Sequence, residues 1–178
     1  MTDRILLSPP DVRGDEREMV MAAIDSNWIA PAGPDLDAFE EELAATTGRS
    51  HCVGLSSGTA GLHLALETAG VTAGDSVLVS TLTFVATPNA VDQLGARSIF
   101  IDSDAETWNM CPQLVEETLG SLAKEGRLPK AVVPVDLYGQ CANYTELIPI
   151  CENYGVTLIA DSAESLGASH DGLSLIHI

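Results

Sequence analysis

From residue 51 onward, short runs of apolar residues alternate with longer stretches in which apolar positions recur at helical spacing. The short runs predict strands at residues 51–55, 76–80, 98–101, 131–135 and 156–160. The stretches between them predict helices at residues 59–69, 84–94, 112–124 and 144–154. Strands that are apolar throughout and alternate with helices are typical of a mainly parallel sheet. We therefore predict an α/β fold with helices covering both faces of the sheet.

The segment before this alternation predicts two helices joined by a loop. Apolar positions such as Val20 and Ile24 indicate a first helix at residues 11–26, and a second helix is predicted at residues 35–47. Residues 27–34 contain two prolines and one glycine, which interrupt regular backbone hydrogen bonding. No linker divides the chain, so we expect one domain rather than two.

The strongly acidic composition narrows the choice of partners. The chain carries 26 acidic and 8 basic residues, for a formal net charge of -18. Such a charge repels nucleic acids and acidic membrane surfaces. No apolar run approaches the roughly 20 residues of a membrane-spanning helix, and the four cysteines lie far apart with no histidine at metal-ligand spacing. We expect a soluble, cytoplasmic protein with no metal, no nucleic-acid partner and no membrane partner.

Side chains able to bind a ligand follow the predicted strands directly. In a parallel sheet, ligands bind beyond the carboxyl ends of the strands. There the chain carries small hydroxyls, a glycine, an aromatic ring and carboxylates, at residues 56–59, 81–84, 102, 136–140 and 161–164. The sequence therefore predicts a ligand site at this edge of the sheet.

Two of these segments suggest how a phosphate and a ring could be held. Gly58 lets the backbone approach an anion at a helix start, and the hydroxyls of Ser57 and Thr59 add donors. Asp161 follows an apolar run, where a carboxylate could pair with a protonated ring nitrogen. Both segments have a simpler interpretation as helix N-caps, and Asp161 with Glu164 resembles a capping box.

Four further side chains are equally open to two interpretations. Phe84 could stack on a ligand ring or belong to the core. Tyr138 and Gln140 could offer a phenol and an amide to a ligand, or merely close a turn. Trp28 could form a pocket wall or pack against another domain.

The order of the motifs along the chain is more specific than any one of them. Five runs resemble the DegT/StrS-type sugar aminotransferases, which belong to fold type I of the enzymes that use pyridoxal 5'-phosphate (PLP). They lie at residues 27–34, 56–66, 83–90, 135–140 and 161–168. The resemblance covers nearly all of residues 5–172 and implies the large PLP-binding domain of that fold, with PLP as the cofactor.

The resemblance implies a cofactor-binding role for several residues. Gly58 and Thr59 match the segment whose amides bind the cofactor phosphate, and Ser57 stands beside them. Phe84 matches the aromatic residue that stacks on the PLP ring. Asp161 matches the aspartate that pairs with the pyridine nitrogen.

The resemblance also bears on the substrates. Glu164 falls where many relatives carry Gln or His beside the ring hydroxyl, although an ionised carboxylate can only accept a hydrogen bond. Trp28, Tyr138 and Gln140 are expected to contact the substrate, which the resemblance implies is a keto-sugar linked to a nucleotide. It implies glutamate as the usual amino donor and a homodimer as the assembly.

Transamination requires a lysine that holds PLP as a Schiff base and transfers protons. The two lysines of the chain, Lys124 and Lys130, are predicted at a helix end and before a strand, away from the predicted site. The resemblance places the family's lysine beyond residue 178. We therefore expect residues 1–172 to be an incomplete large domain, residues 173–178 to be a foreign or truncated tail, and the chain alone to be inactive, with no catalytic residue of its own.

Three other functions fit part of this pattern. A PLP-dependent keto-sugar dehydratase would have histidine in place of the lysine. A non-catalytic relative of the same fold would act as a regulator or interaction protein. A nucleotide-binding α/β domain without PLP is disfavoured, because the chain has neither a G-x-G-x-x-G turn nor a P-loop pattern.

Overall fold

The computed structural model describes residues 9–170 and 173–174, and these group into two units that divide between Phe39 and Glu40. The first unit contains helix α1 (Glu16–Asp25) and the beginning of helix α2 (Pro34–Thr47), which continues into the second unit. Acidic side chains occupy the first turn of each helix, where the helix dipole favours them. No residue of α1 is buried.

Helix α1 begins five residues later than the predicted start of its helix. Before it, the Arg13 guanidinium binds the Asp11 carboxylate, and the amide of Gly14 donates to Glu16 Oε2 at 2.9 Å. These local side-chain contacts replace the backbone bonds of a helical turn, so residues 11–15 stay outside the helix.

The second unit is built on a parallel four-stranded sheet. Its strands are β1 (Ser76–Ser80), β2 (Arg97–Ile101), β3 (Ala131–Val133) and β4 (Thr157–Leu158), in the order β2-β1-β3-β4. The helices of this unit are α3 (Gly58–Thr68), α4 (Ala86–Gln93), α5 (Pro112–Lys124) and α6 (Tyr144–Tyr154). A short antiparallel pair, β5 (Ser169–His170) and β6 (Leu173–Ser174), follows.

Alternate strand residues point to opposite faces and build two cores. Leu78 and Val132 face α5 and α6, in a cluster that includes Leu119 and Leu147. On the other face, neighbouring strand residues such as Val77 pack with α3 and α4. Helices thus cover both faces of a parallel sheet, which confirms the predicted fold class.

The end of β3 shows why two predicted strands are shorter than expected. Pro134 has no amide proton, so the ladder cannot continue regularly through it. The next amide, that of Val135, donates to the Ser80 hydroxyl at 3.3 Å, and pairing resumes in a single bridge between Val135 and Asp161. Asp161 therefore stays in line with the sheet although β4 itself ends at Leu158.

The predicted strand at residues 51–55 is wrong. This stretch pairs with no strand among the described residues, and Val53 and Leu55 are 66% and 47% exposed. An apolar run becomes a strand only when another strand satisfies its backbone groups. Here the amide of Gly54 donates instead to Glu40 Oε1 at 2.7 Å.

Two expectations from the sequence concern the C-terminal tail and the possibility of a membrane-spanning helix. Of the predicted tail at 173–178, residues 175–178 lie outside the described residues, as do 171–172, whereas 173–174 form β6. The boundary at residue 172 stays a prediction. Within the described part of the chain, no helix combines the length and the apolar character needed to cross a membrane.

Candidate functional site

A cavity of about 390 Å³ lies beyond the carboxyl ends of three strands. The segments that follow β1, β3 and β4 line it. Its volume lies in the range of small-molecule sites. It brings together four of the nine residues singled out from the sequence, namely Phe84, Tyr138, Asp161 and Glu164. The others in its wall are Leu82, Thr83, Val135, Leu137 and Ala163.

Asp161 is a buried carboxylate in the wall of this cavity. Its backbone is held by the continuing sheet, because its amide donates to Pro134 O at 2.9 Å and its carbonyl accepts from the Asp136 amide at 3.0 Å. The side chain is 8% exposed. Residues 162–168 form turns rather than a helix, so the interpretation of Asp161 as a helix N-cap is wrong.

The two oxygens of Asp161 have unequal partners. Oδ2 accepts from the Thr87 hydroxyl at 2.6 Å, whereas Oδ1 has a long contact of 3.4 Å from the Ala163 amide. A carboxylate has about four acceptor positions. Oδ1 therefore retains acceptor capacity on a side chain that lines the cavity.

Thr87 was not predicted as part of the site. It lies in the first turn of α4, is 1% exposed and is also 2.9 Å from the Thr83 hydroxyl. Because Thr87 has a single hydroxyl proton and donates it to Asp161, it can only accept from Thr83, whose own proton also lies within reach of the Phe84 carbonyl at 3.2 Å. The spacing of four residues between the threonines, on either side of Phe84, is the signal that could have drawn attention to them.

A second buried carboxylate, that of Asp136, joins the two loops that frame the cavity. Its Oδ1 accepts from the Ala142 amide and the Tyr144 hydroxyl, both at 2.9 Å. Its Oδ2 accepts from the hydroxyls of Ser162 at 2.7 Å and Ser165 at 3.1 Å. Asp136 has no exposed surface. The burial of the Tyr144 phenol, followed by the negative charge of Asp136, raises the pKa of Tyr144 well above the ordinary tyrosine value.

The turn that carries Tyr138 is held from two sides. Buried Asn109 donates to the carbonyls of Gln140 at 3.0 Å and Cys141 at 2.9 Å, and accepts from the Leu137 amide at 3.1 Å. Within this turn, Tyr138 has a left-handed φ of 53°. Its ring is exposed, whereas Gln140 does not line the cavity.

Glu164 joins the turn to the loop that follows Asp161. Its Oε2 accepts from the Tyr138 amide at 2.8 Å. A Cβ atom at Gly139, whose φ is +84°, would lie 3.2 Å from the Glu164 carbonyl oxygen, so the close approach of the two loops favours glycine there. The Glu164 carboxylate thus has a structural partner in addition to any ligand. Phe84, which also lines the cavity, is 79% exposed.

The start of α3 combines a cap with two free amides. Ser57 caps the helix, since its hydroxyl oxygen accepts from the Ala60 amide at 3.2 Å. The amides of Gly58 and Thr59 donate to no other described residue. A Cβ atom at Gly58 would meet nothing within 4 Å, so protein packing does not require glycine there. These residues do not line the 390 Å³ cavity.

Trp28 belongs to the first unit and to a different cavity. It lines a space of about 370 Å³ with Leu36 and Phe39 among its other walls. Its indole nitrogen donates to the Ala32 carbonyl at 2.7 Å. A Cβ atom at Gly33 would collide with the indole ring at 1.8 Å, so this loop depends on glycine at that position.

Comparison with known proteins identifies related sequences and folds over almost the whole chain. The model of the DegT/DnrJ/EryC1/StrS aminotransferase family matches residues 10–175. A Bacillus subtilis protein named "Putative pyridoxal phosphate-dependent aminotransferase EpsN" is 46% identical over 172 residues, which are 97% of this chain and 44% of the relative. GDP-perosamine synthase of Caulobacter vibrioides is 32% identical over 169 residues, 95% of this chain and 44% of the relative.

A solved structure gives the same result for the fold. The crystal structure of a DegT DnrJ EryC1 StrS aminotransferase from Brucella abortus superposes with a TM-score of 0.85 at 33% sequence identity. The superposition covers 89% of this chain and 43% of that one. The chain thus spans less than half the length of these relatives.

Proposed function

Because the chain belongs to the DegT/DnrJ/EryC1/StrS aminotransferase family, we propose that it is the N-terminal part of a PLP-dependent aminotransferase that acts on a nucleotide-linked keto-sugar. The observation that carries the proposal is the Asp161 carboxylate, which is buried, lines a cavity beside Phe84 and keeps acceptor capacity on Oδ1. The relative named GDP-perosamine synthase supports a nucleotide-sugar substrate.

The residues around the cavity fit the ring of PLP. A protonated pyridinium supplies the chemistry of this cofactor, since it withdraws electrons from the carbon that is deprotonated. A buried carboxylate keeps the proton on the ring nitrogen, and Oδ1 of Asp161 can accept the hydrogen bond of that N–H group. The exposed face of Phe84 can cover the ring, with a contribution on the order of 1 kcal/mol beyond area burial.

The phosphate is assigned to the start of α3. The free amides of Gly58 and Thr59 lie at a helix N-terminus, where the dipole also favours an anion. Side-chain hydroxyls of Ser57 and Thr59 would add donors. The absence of any atom within 4 Å of a Cβ at Gly58 leaves room for a ligand to approach the backbone.

The remaining site residues are proposed to face the ring hydroxyl and the substrate. Glu164 would lie near the ring hydroxyl, where its carboxylate can accept a hydrogen bond. Tyr138 has an exposed ring in the same cavity wall. Trp28 and Gln140 are proposed to contact the nucleotide-sugar in the assembled enzyme.

The whole protein is proposed to contain the catalytic lysine that this chain lacks. We place the Schiff-base lysine after residue 178, with residues 1–172 as part of the large domain and 173–178 as a tail foreign to it. The chain by itself is then inactive. Glutamate as amino donor, a homodimer and a cytoplasmic location complete the proposal.

The test uses the full-length protein that contains this chain. The purified apoprotein is titrated with PLP, and the visible absorbance band of the cofactor is recorded before and after glutamate is added. We expect saturable PLP binding, conversion of the bound cofactor to its amine form, and a loss of affinity of about 100-fold in Asp161→Asn, because the ring proton then lacks a charged acceptor.

Three other outcomes would each contradict a part of the proposal. No PLP binding would favour the α/β domain without this cofactor. Binding without amino transfer, but with loss of water from a keto-sugar, would identify a dehydratase. Binding with neither reaction would favour the non-catalytic regulator.

A further inference from the structure

Thr87 and Asp161 are joined by the closest contact in the site. They lie 74 residues apart in sequence, and the hydroxyl of Thr87 approaches Asp161 Oδ2 to 2.6 Å. Both side chains are buried, at 1% and 8% exposure. A hydrogen bond to an ionised group in such a place is stronger than one between neutral groups.

The contact restricts how the carboxylate can turn. The terminal torsion of an aspartate is broad and roughly two-fold, so an unanchored carboxylate samples many orientations. With Oδ2 held by Thr87, the plane of the group is set, and Oδ1 is the oxygen left with acceptor capacity. The Thr83 hydroxyl lies 2.9 Å from the Thr87 hydroxyl and can donate to it.

The same turn also carries the aromatic residue of the site. Phe84 lies between the two threonines, and its carbonyl accepts from the Thr87 amide at 3.3 Å. Two hydrogen bonds of Thr87 therefore connect the backbone of the exposed Phe84 to the buried carboxylate of Asp161. A displacement of Thr87 would alter both together.

We propose that Thr87 is a positioning residue, which fixes the Asp161 carboxylate so that one oxygen accepts the hydrogen bond of the protonated ring nitrogen of PLP. This inference rests on the proposed function. Thr87 touches neither the cofactor nor the substrate in this role, and it acts through Asp161. Thr83 has a smaller share in this role, through the contact between its hydroxyl and that of Thr87.

The test compares PLP dissociation constants of full-length apoproteins, measured by titration of the cofactor absorbance. Thr87→Val keeps the shape of the side chain and removes the hydroxyl, and we expect its dissociation constant to rise about tenfold. Thr87→Ser keeps the hydroxyl and should stay within about threefold of the unchanged protein. Thr47→Val is the matched control, because Thr47 is also buried but donates to Leu43 in its own helix.

A double substitution separates positioning from simple packing. In the Asp161→Asn background, Thr87→Val should cause no further loss of PLP affinity, since the carboxylate that Thr87 orients is absent. If Thr87→Val weakens binding equally in both backgrounds, its role is in packing and the inference is wrong. Thermal unfolding of each apoprotein shows whether affinity and stability change separately.

Two further results keep the inference apart from the proposed function. If the unchanged protein binds no PLP, the proposed function fails. If it binds PLP and Asp161→Asn loses it while Thr87→Val does not, only the inference fails. Should Thr87→Val not fold, Thr83→Val replaces it, and an affinity reduced about threefold supports the role whereas an unchanged one contradicts it.

Discussion

Asp136 and Asp161 are two buried aspartates that follow neighbouring parallel strands, yet their surroundings differ. Asp136 accepts from one amide and three hydroxyls, so both of its oxygens have two partners. Asp161 accepts from one hydroxyl at 2.6 Å and has one long contact. The first lies inside the protein, and the second lines a cavity.

The difference teaches how a structural carboxylate can be told from a ligand-binding one at the same sheet edge. A carboxylate whose acceptor positions are all occupied by the protein has nothing to offer a ligand. It holds the loops together instead. A buried carboxylate with an oxygen that the protein leaves available needs a donor from a ligand, because burying a charged group without enough hydrogen bonds destabilises the folded protein. On this argument Asp136 stabilises the loops beside the cavity, and Asp161 is the candidate for binding a ligand.

The largest expected effect is on folding stability and separates the two aspartates. Asp136→Ala removes the shared acceptor of one amide and three hydroxyls, and we expect the free energy of unfolding of the full-length apoprotein to fall by about 4 kcal/mol. Asp161→Ala leaves only Thr87 without its short bond, for a loss of about 1 kcal/mol. Urea denaturation followed by circular dichroism measures both. Equal losses would break the distinction between the two carboxylates.

Much of the scaffold could be predicted from the sequence because its signals are local. The bounds of β1, α5 and α6 agree with the predicted ranges. Pro112 starts α5, and Gly155, in the left-handed conformation, ends α6. The stretch at residues 51–55 has an equally apolar pattern, but its state depends on a partner strand that the local pattern does not contain.

The site was predicted less completely, because hydrogen bonds between distant residues leave no periodic trace. Phe84 and Asp161 stood out through their place at strand ends, and both line the cavity. Thr87 lies in a predicted helix and in one of the runs that resemble the family, but nothing local shows that its hydroxyl meets a carboxylate 74 residues away. Asp136 follows a predicted strand, but its four donors come from two later segments of the chain, residues 142–144 and 162–165.

The next effect sharpens the comparison through pH. Burial, followed by the charge of Asp136, raises the pKa of Tyr144 in the folded protein. Below about pH 10 the phenol is protonated in both the folded and the unfolded protein, so the free energy of unfolding does not change with pH through this group. Above it, the unfolded chain loses the proton that the folded protein keeps, so stability falls by about 1.4 kcal/mol per pH unit.

The test measures the free energy of unfolding by urea denaturation at several pH values above about pH 10. It compares the protein that keeps Tyr144 with the Tyr144→Phe variant. Burial also raises the pKa of the Cys151 thiol, to about 11, with the same sign of effect. Both proteins therefore carry Cys151→Ala. The stability difference between them should shrink as the pH rises. A constant difference would show that the Tyr144 phenol is not held protonated beside Asp136.

The smallest effect concerns the two serines that share Asp136 Oδ2. Ser162→Ala or Ser165→Ala alone leaves that oxygen one hydroxyl donor, so each should lower the free energy of unfolding by about 1 kcal/mol. Together they leave Oδ2 with no donor among the described residues, and the combined loss should exceed the sum of the two. Neither single change should move the PLP dissociation constant more than about twofold, since Asp161 keeps Thr87. Additive losses would mean that the serines act independently, and the carboxylate of Asp136 would then not be the group that unites the two loops.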